Sequence, residues 1–231
     1  MDTVRLETVD STNLEARRRH QAGEAGPLWI LAAEQTAGRG RLGRTWVSKP
    51  GNLYATLIWP TAAPPQALAQ LSFVAAIAVH ETASDFATPS RISLKWPNDC
   101  LLDGAKFCGI LIEALNAGTV AIGVGINVGH SPEGLPYKVA ALAGNVDSIF
   151  EKLALTLSYY LGMWKDAEGF PAIREAWMVR CNTIGQPITV DGEAGTFNSV
   201  APDGALAFTA SNGHTRLVYA GDVRVEYQPQ P

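Results

Sequence analysis

Little in this chain points to redox, metal or membrane chemistry. It has 3 cysteines and 4 histidines in 231 residues. Cys100, Cys108 and Cys181 show no metal-ligand spacing, and their number is odd. Cys100 and Cys108 lie inside apolar, strand-like runs, so they read as small buried thiols in a reducing compartment. No apolar run reaches the roughly 20 residues of a membrane span. Met1-Asp2-Thr3-Val4-Arg5 lacks the basic start and apolar core of a signal peptide, so a cytoplasmic location is expected. Positive charge is not in excess: the net charge is −4. That argues against general nucleic-acid binding, which favours a basic domain. A dinucleotide fingerprint is missing as well, because Gly123-Val124-Gly125 lacks the third glycine and no helix starts there. Internal repeats, heptads and low-complexity segments are not seen.

What is present begins with Gly38-Arg39-Gly40-Arg41-Leu42-Gly43-Arg44, followed by Thr45-Trp46. Glycines let a backbone take positive φ and approach a ligand closely. Arginines keep their charge and offer planar forks that match carboxylate and phosphate oxygens. The mixture suggests a loop closing over an anion. A solvated basic loop and an arginine-rich RNA-binding segment are the rival readings. On a mildly acidic protein, a local positive site suits a small anionic ligand better than a duplex.

The composition, 47% apolar and 17% charged, is that of a globular protein able to bury a sizeable core. Val4 to Val9 alternates as a strand. Asp10-Ser11-Thr12-Asn13 follows as cap and turn residues before a helical run at Leu14 to Arg19. Locally this reads as an ordinary N-cap, although free N–H groups and hydroxyls there can also hold a polar ligand. Leu28–Glu34 reads as a buried strand delivering Gln35 to the arginine loop. Asn52–Trp59 is another strand, and Pro65 to about Ala87 is a helical segment with a core-facing stripe. Strands at Arg91–Lys95 and from Cys100 flank Trp96-Pro97-Asn98-Asp99. Asp103-Gly104 signals a hairpin into a strand from Lys106 to about Leu115. Thr119–Val128 forms a further strand, in which Gly123 and Gly125 mark a bulge or a close ligand approach. Val146–Trp164 and Pro171–Val179 are helical. From about Thr183, five short β-runs (Pro187–Val190, Gly195–Val200, Ala205–Thr209, Thr215–Tyr219, Asp222–Glu226) alternate with turn pairs and imply a small barrel. The tail Gln228–Pro231 reads as frayed. The expected fold is α+β with a mostly antiparallel sheet.

Five stretches then resemble one family: Asp10-Ser11-Thr12-Asn13, Gln35 through Trp46, Lys95-Trp96-Pro97-Asn98-Asp99, Lys106-Phe107-Cys108-Gly109-Ile110-Leu111-Ile112-Glu113, and Gly123-Val124-Gly125-Ile126-Asn127-Val128. In this order, and followed by a small barrel, they look like biotin protein ligase, over nearly the whole chain. The resemblance implies a class II aminoacyl-tRNA-synthetase-like catalytic domain, shared with lipoyl ligases, over residues 1–182. It implies an SH3-like β-barrel over residues 183–231. Only nine residues precede Asp10, so the form without a helix-turn-helix DNA-binding domain is expected.

The implied reaction has two steps. Biotin's carboxylate attacks the α-phosphate of ATP, giving biotinoyl-5′-AMP and pyrophosphate. A lysine of a biotin carboxyl carrier protein then takes the biotin, and AMP leaves. Mg²⁺ would screen the phosphates. By resemblance, Ser11, Thr12, Asn13 and Gln35 hold biotin's ureido edge, and the Gly109 and Ile110 backbone faces the ligand. Arg39 and Arg41, with Gly40 between them, clamp biotin's carboxyl end and the adenylate phosphate. Arg44 lies towards the ATP phosphates, and Trp46 covers the adenine. Lys95 and Asn98 line the nucleotide side, and Asn127 lies near adenine or ribose. Asp99 is left between a Mg²⁺ ligand and a turn cap.

Lys106 points a compact charge at the biotin carboxylate and the α-phosphate. Positioning and charge stabilisation carry such chemistry, so no nucleophile–base pair is needed. His20, His80, His130 and His214 fall outside the motifs and are expected to be surface or structural. The resemblance permits a homodimer through sheet edges. The loop should act as a lid over the adenylate. Two rivals remain: lipoate–protein ligase, and a non-catalytic RNA-binding module, against which the missing stacking-aromatic platform counts.

Overall fold

In the computed structural model, residues 1–221 and 223–225 are described. The tail Gln228–Pro231 and the expected strand ends Asp222 and Glu226 lie outside them. Seven strands build the main sheet: β1 (Asp2–Val9), β2 (Leu28–Gln35), β3 (Leu53–Pro60), β4 (Ile92–Lys95), β5 (Asp99–Leu102), β6 (Ala105–Asn116) and β7 (Thr119–Ile126). Their order is β1-β2-β3-β7-β6-β5-β4. All pairings are antiparallel except β1 with β2. A parallel pair needs a crossover, supplied by α1 (Thr12–Gln21).

The two faces of this sheet differ because side chains alternate along each strand. Trp29, Leu31, Leu53, Ala55, Leu57, Val120, Ile122, Val124 and Ile126 point into the principal core. There they meet α2 (Leu71–Ala83), α3 (Val146–Trp164) and α4 (Phe170–Val179). α2 is buried nearly all round, as its apolar composition requires, and is preceded by a 3₁₀ turn at Pro65–Gln70. α3 starts where Asn145 Oδ1 accepts from the N–H groups of Asp147 (2.9 Å) and Ser148 (3.1 Å). Its buried stripe is Ile149, Leu153, Leu157, Leu161 and Trp164, the spacing of one helix face.

The opposite sheet face packs Ala16 of α1 on Leu28, Ile30, Ile58 and Ala121. Beyond that patch it carries Thr56, Gly109, Glu113, Gly123 and Gly125, which leave room for other groups. The hairpin joining β5 to β6 turns at Asp103 (φ 50°) and Gly104 (φ 75°), as an Asp-Gly turn should.

The five expected C-terminal strands are β8 (Pro187–Val190), β9 (Glu193–Val200), β10 (Leu206–Ala210), β11 (Thr215–Val218) and β12 (Val223–Val225). Their order is β11-β10-β9-β8-β12, with β11 and β12 as edges. Among the described residues this is an open antiparallel sheet, and closure into the expected small barrel is not seen. β11 and β12 span four and three residues, and each pairs with one neighbour. The sheet joins the principal core through Phe197, Val200, Leu206 and Phe208. Trp96 Nε1 also donates to the Gly204 carbonyl (3.1 Å). Cys100, Cys108 and Cys181 are free and buried, as expected, and burial pushes the Cys100 thiol up. Among the described residues no helix is long and apolar enough to cross a membrane.

Candidate active site

β1 ends at Val9, in register with Gln35 of β2, so the start of α1 lies beside the start of the arginine loop. Gln35 Oε1 accepts from Thr12 N (2.8 Å) and Thr12 Oγ1 (3.1 Å), while Gln35 Nε2 donates to Ser48 Oγ (2.8 Å). Ser11 is the N-cap of α1, yet its side chain makes no cap hydrogen bond and lines the cavity. Asn13 Oδ1 accepts from Thr56 (2.7 Å), and its Nδ2 donates to Glu113 Oε2 (2.8 Å). These bonds orient the amide.

The arginine loop folds back on itself. Gly40 N donates to the Arg44 carbonyl (2.7 Å) and Trp46 N to the Gly38 carbonyl (2.9 Å). A 3₁₀ turn, Arg41–Gly43, lies between them, with positive φ at Leu42 (55°) and Gly43 (72°). Arg39 Nη2 lies 3.2 Å from Glu113 Oε1. Arg41 Nη1 donates to Asn98 Oδ1 (3.2 Å). Burial pushes the Arg41 guanidinium below its ordinary pKa, against the opposing pull of Asp99. Asn98 is itself fixed on β6, donating to the Ile110 carbonyl (2.7 Å) and accepting from Ile110 N at its own carbonyl (3.1 Å).

Lys106 lies at the centre. Its Nζ is 2.6 Å from Asp99 Oδ1, 5.4 Å from the Trp46 ring centroid and 5.8 Å from that of Tyr137. Its backbone is held by the segment after β7: Lys106 N donates to the Lys138 carbonyl (2.9 Å), and Ala140 N donates to the Lys106 carbonyl (3.0 Å).

Three glycines form the floor. Gly109 and Gly125 face each other across β6 and β7, and the Trp46 ring lies on both. A Cβ on Gly125 would fall 2.6 Å from Trp46 Nε1, and one on Gly123 would fall 2.3 Å from Asn13 Oδ1. At Gly123 and Gly125, where a close ligand approach is expected, the space is taken by two of the chain's own side chains, Asn13 and Trp46.

Together these residues enclose a cavity of about 1020 Å³. Of the expected site residues, Ser11, Thr12, Asn13, Gln35, Arg39, Gly40, Arg41, Arg44, Trp46, Lys95, Asn98, Asp99, Lys106, Gly109 and Ile110 all line it. Asn127 does not. It borders a small side pocket behind Trp46, and its Nδ2 donates to the Ala140 carbonyl (3.0 Å). Asn127 Oδ1 and Trp46 Nε1, an acceptor and a donor, are both buried without a hydrogen-bond partner beside that pocket.

Sequence reasoning assigned nothing to Thr56, Glu113, Tyr137 or Arg224. A Thr in the apolar run Leu53–Ile58 was the available signal for the first. Glu113 closes the stretch Lys106-Phe107-Cys108-Gly109-Ile110-Leu111-Ile112-Glu113. Arg224 enters the cavity wall from β12, a placement no local pattern encodes. None of the four histidines lines the cavity; His80 is buried, and His20 and His130 bond backbone carbonyls.

The wall carries seven basic side chains (Arg39, Arg41, Arg44, Lys95, Lys106, Lys138 and Arg224) and one carboxylate, Asp99. Concentrating cations over an apolar, glycine-floored slot suits an anionic ligand with an apolar body. Among the described residues no three His, Cys, Asp or Glu side chains are grouped to hold a metal ion.

Residues 5–129 match the model of the biotin/lipoate A/B protein ligase family, and the chain belongs to that family. The biotin–[acetyl-CoA-carboxylase] ligase of Paracoccus denitrificans is 38% identical over 238 residues, covering 94% of this chain and 98% of that relative. The Mycobacterium tuberculosis protein of the same name is 31% identical, over 92% and 85% of the two chains. Among solved structures, the biotin protein ligase from Aquifex aeolicus in complex with biotin and ATP aligns with a TM-score of 0.83 over 97% of this chain and 99% of that one. At 24% identity this likeness speaks for the fold.

Proposed function

We propose that the cavity activates biotin with ATP and passes it to a lysine of a biotin carboxyl carrier protein. The observation that carries this reading is the gathering of seven cations around one cavity of a protein whose net charge is −4. Adenylation brings a carboxylate against a polyphosphate. Two unit charges 4 Å apart repel by roughly 4 kcal/mol at an effective dielectric of 20, so the site must neutralise both.

The carboxylate oxygen of biotin forms a bond to the α-phosphorus while the bond to the pyrophosphate oxygen breaks. The carrier lysine amine then attacks the mixed anhydride, loses a proton and expels AMP. Lys106 stabilises the charge that develops on the phosphate, Arg41 grips the adenylate phosphate once it has formed, and Arg39 holds the biotin carboxylate. Ser11, Thr12, Asn13 and Gln35 take the ureido edge. Arg44, Lys95 and Asn98 face the nucleotide, with Trp46 against the adenine and Asn127 behind it.

Mg²⁺ uses one or two protein carboxylates plus substrate phosphates, and a lone Asp99 fits that mode. When bound, Mg²⁺ would neutralise phosphate charge. Asp99, which lies beside Lys106, would be the residue that holds the metal. The C-terminal strands serve as a small SH3-like unit that brings Arg224 to the nucleotide end. β1, an edge strand, offers a pairing surface for a homodimer. Three free thiols suit a cytoplasmic location.

The direct test is pyrophosphate exchange and carrier labelling with ATP, Mg²⁺ and either biotin or lipoate. Biotin is expected to support both. Transfer of lipoate and not biotin would overturn the proposal. A second prediction concerns the floor. Gly123→Ala places a methyl against the Asn13 amide, which Thr56 and Glu113 hold in place. Biotin affinity should fall about tenfold, the cost of one displaced hydrogen-bonding group. An unchanged Kd by calorimetry would count against Asn13 as a biotin contact.

A further inference from the structure

One chain of hydrogen bonds, closed by an ion pair, runs beneath the cavity and begins and ends on the same loop. Ser48 Oγ donates to the Trp46 carbonyl (2.9 Å) and accepts from Gln35 (2.8 Å), which accepts from Thr12. Thr56 Oγ1 lies 2.8 Å from Thr12 Oγ1 and 2.7 Å from Asn13 Oδ1. Asn13 donates to Glu113, and Glu113 returns to the loop at Arg39. Glu113 is the charged member on the floor side. It sits on β6 opposite Ala121, two positions beyond Leu111 on the same face. Its side chain is 18% exposed, against 43% for Arg39. Each carboxylate oxygen serves a different element: Oε2 takes the Asn13 amide at the start of α1, and Oε1 takes the loop guanidinium.

We propose that Glu113 is a positioning residue for the arginine loop. With one oxygen it holds Arg39 across the mouth, and with the other it fixes Asn13 on the floor, so that loop and biotin site close as a unit. A carboxylate is needed for this because two donors from different elements converge on it, one of them charged. Glutamine would keep an acceptor for Asn13 and lose the charge that holds Arg39. The kinetic consequence rests on the ligase activity proposed above. The structural consequence does not.

Two measurements on the full-length protein test it. Without ligands, the rate at which trypsin cuts after Arg39, Arg41 and Arg44 rises as the loop is released. Glu113→Gln should speed cleavage there roughly three- to tenfold, the range for losing a partly exposed charged contact, with the thermal midpoint essentially unmoved. Arg39→Gln, made from the other side of the pair, should speed cleavage at Arg41 and Arg44 alike. Cleavage at the unmodified rate in either folded variant would overturn the proposal.

In pyrophosphate exchange, Glu113→Gln should raise the biotin KM by the same factor and leave kcat within about twofold, whereas a merely destabilised fold would lower the apparent kcat through the folded fraction and leave KM unchanged. Adding it to Arg39→Ala should have no further effect on KM. Multiplying effects in the double variant would show that the two residues act separately and would sink the idea. Absence of exchange by the unmodified chain would tell against the ligase reading instead, and the trypsin result would then decide on Glu113.

Discussion

Lys106→Ala is expected to slow biotinoyl-AMP formation by about 10²–10³-fold, the usual effect of removing one preorganised charge-stabilising donor. The ammonium is mostly buried, with its side chain 18% exposed, and is flanked by the Trp46 and Tyr137 rings. Both factors limit solvent screening of its charge. Its position is set before any ligand arrives, since its backbone hydrogen-bonds on both sides to the segment at Lys138 and Ala140. No reorganisation is therefore needed at the moment of reaction. Biotin binding should suffer far less, because Asn13, Gln35 and Arg39 remain. Single-turnover adenylate formation at saturating biotin reads the step directly. A rate close to that of the unmodified protein would remove Lys106 from the mechanism. The change also strands Asp99, whose side chain is 17% exposed, so Lys106→Arg is the companion variant that keeps a cation beside it.

Arg41→Gly should leave adenylate synthesis largely intact and let the product escape. Burial disfavours the Arg41 charge, and its guanidinium hydrogen-bonds the neutral Asn98 amide. An anion in the cavity offsets that cost, so the contact is stronger with the adenylate bound than without it. Losing one charge-assisted contact costs roughly 1.5–3 kcal/mol. At 1.4 kcal/mol per decade this corresponds to release about 10- to 150-fold faster. Glycine also adds backbone freedom beside Gly40 and the strained Leu42. The released anhydride should acylate lysines of any bystander protein in the tube. Labelling confined to the carrier would refute this role.

The parts of the fold that obey local rules were legible in the sequence. Val146–Trp164 is a helix over the expected span because a cap residue and a five-member apolar stripe agree. Asp103-Gly104 turns as its residue types demand. The helical segment from Pro65 was read as one element ending near Ala87. It divides into a 3₁₀ turn and a helix ending at Ala83, a boundary that its alanine-rich pattern does not mark. Parallel pairing of β1 with β2, and the insertion of β7 between β3 and β6, are long-range choices that strand patterns leave undetermined.

The same division holds for the site. Gln35, Arg39, Arg41 and Lys106 announce themselves by residue type and company. Thr56 and Glu113 do not, because a threonine in a strand and a glutamate near a strand's end are unremarkable until Asn13 is seen between them. Arg224 comes from more than a hundred residues beyond Lys106, so only the packing of the C-terminal sheet brings it in.

The glycine floor sets stability against activity. Gly109, Gly123 and Gly125 lie in strand interiors, where a β-branched residue would be the better strand former. Gly125→Val would therefore improve the local backbone preference while its side chain fills the space on which Trp46 lies. A selection for thermal resistance alone would drift towards such substitutions, and the surviving proteins would be folded, soluble and inactive. Any attempt to harden this chain by consensus or design has to hold these three positions fixed.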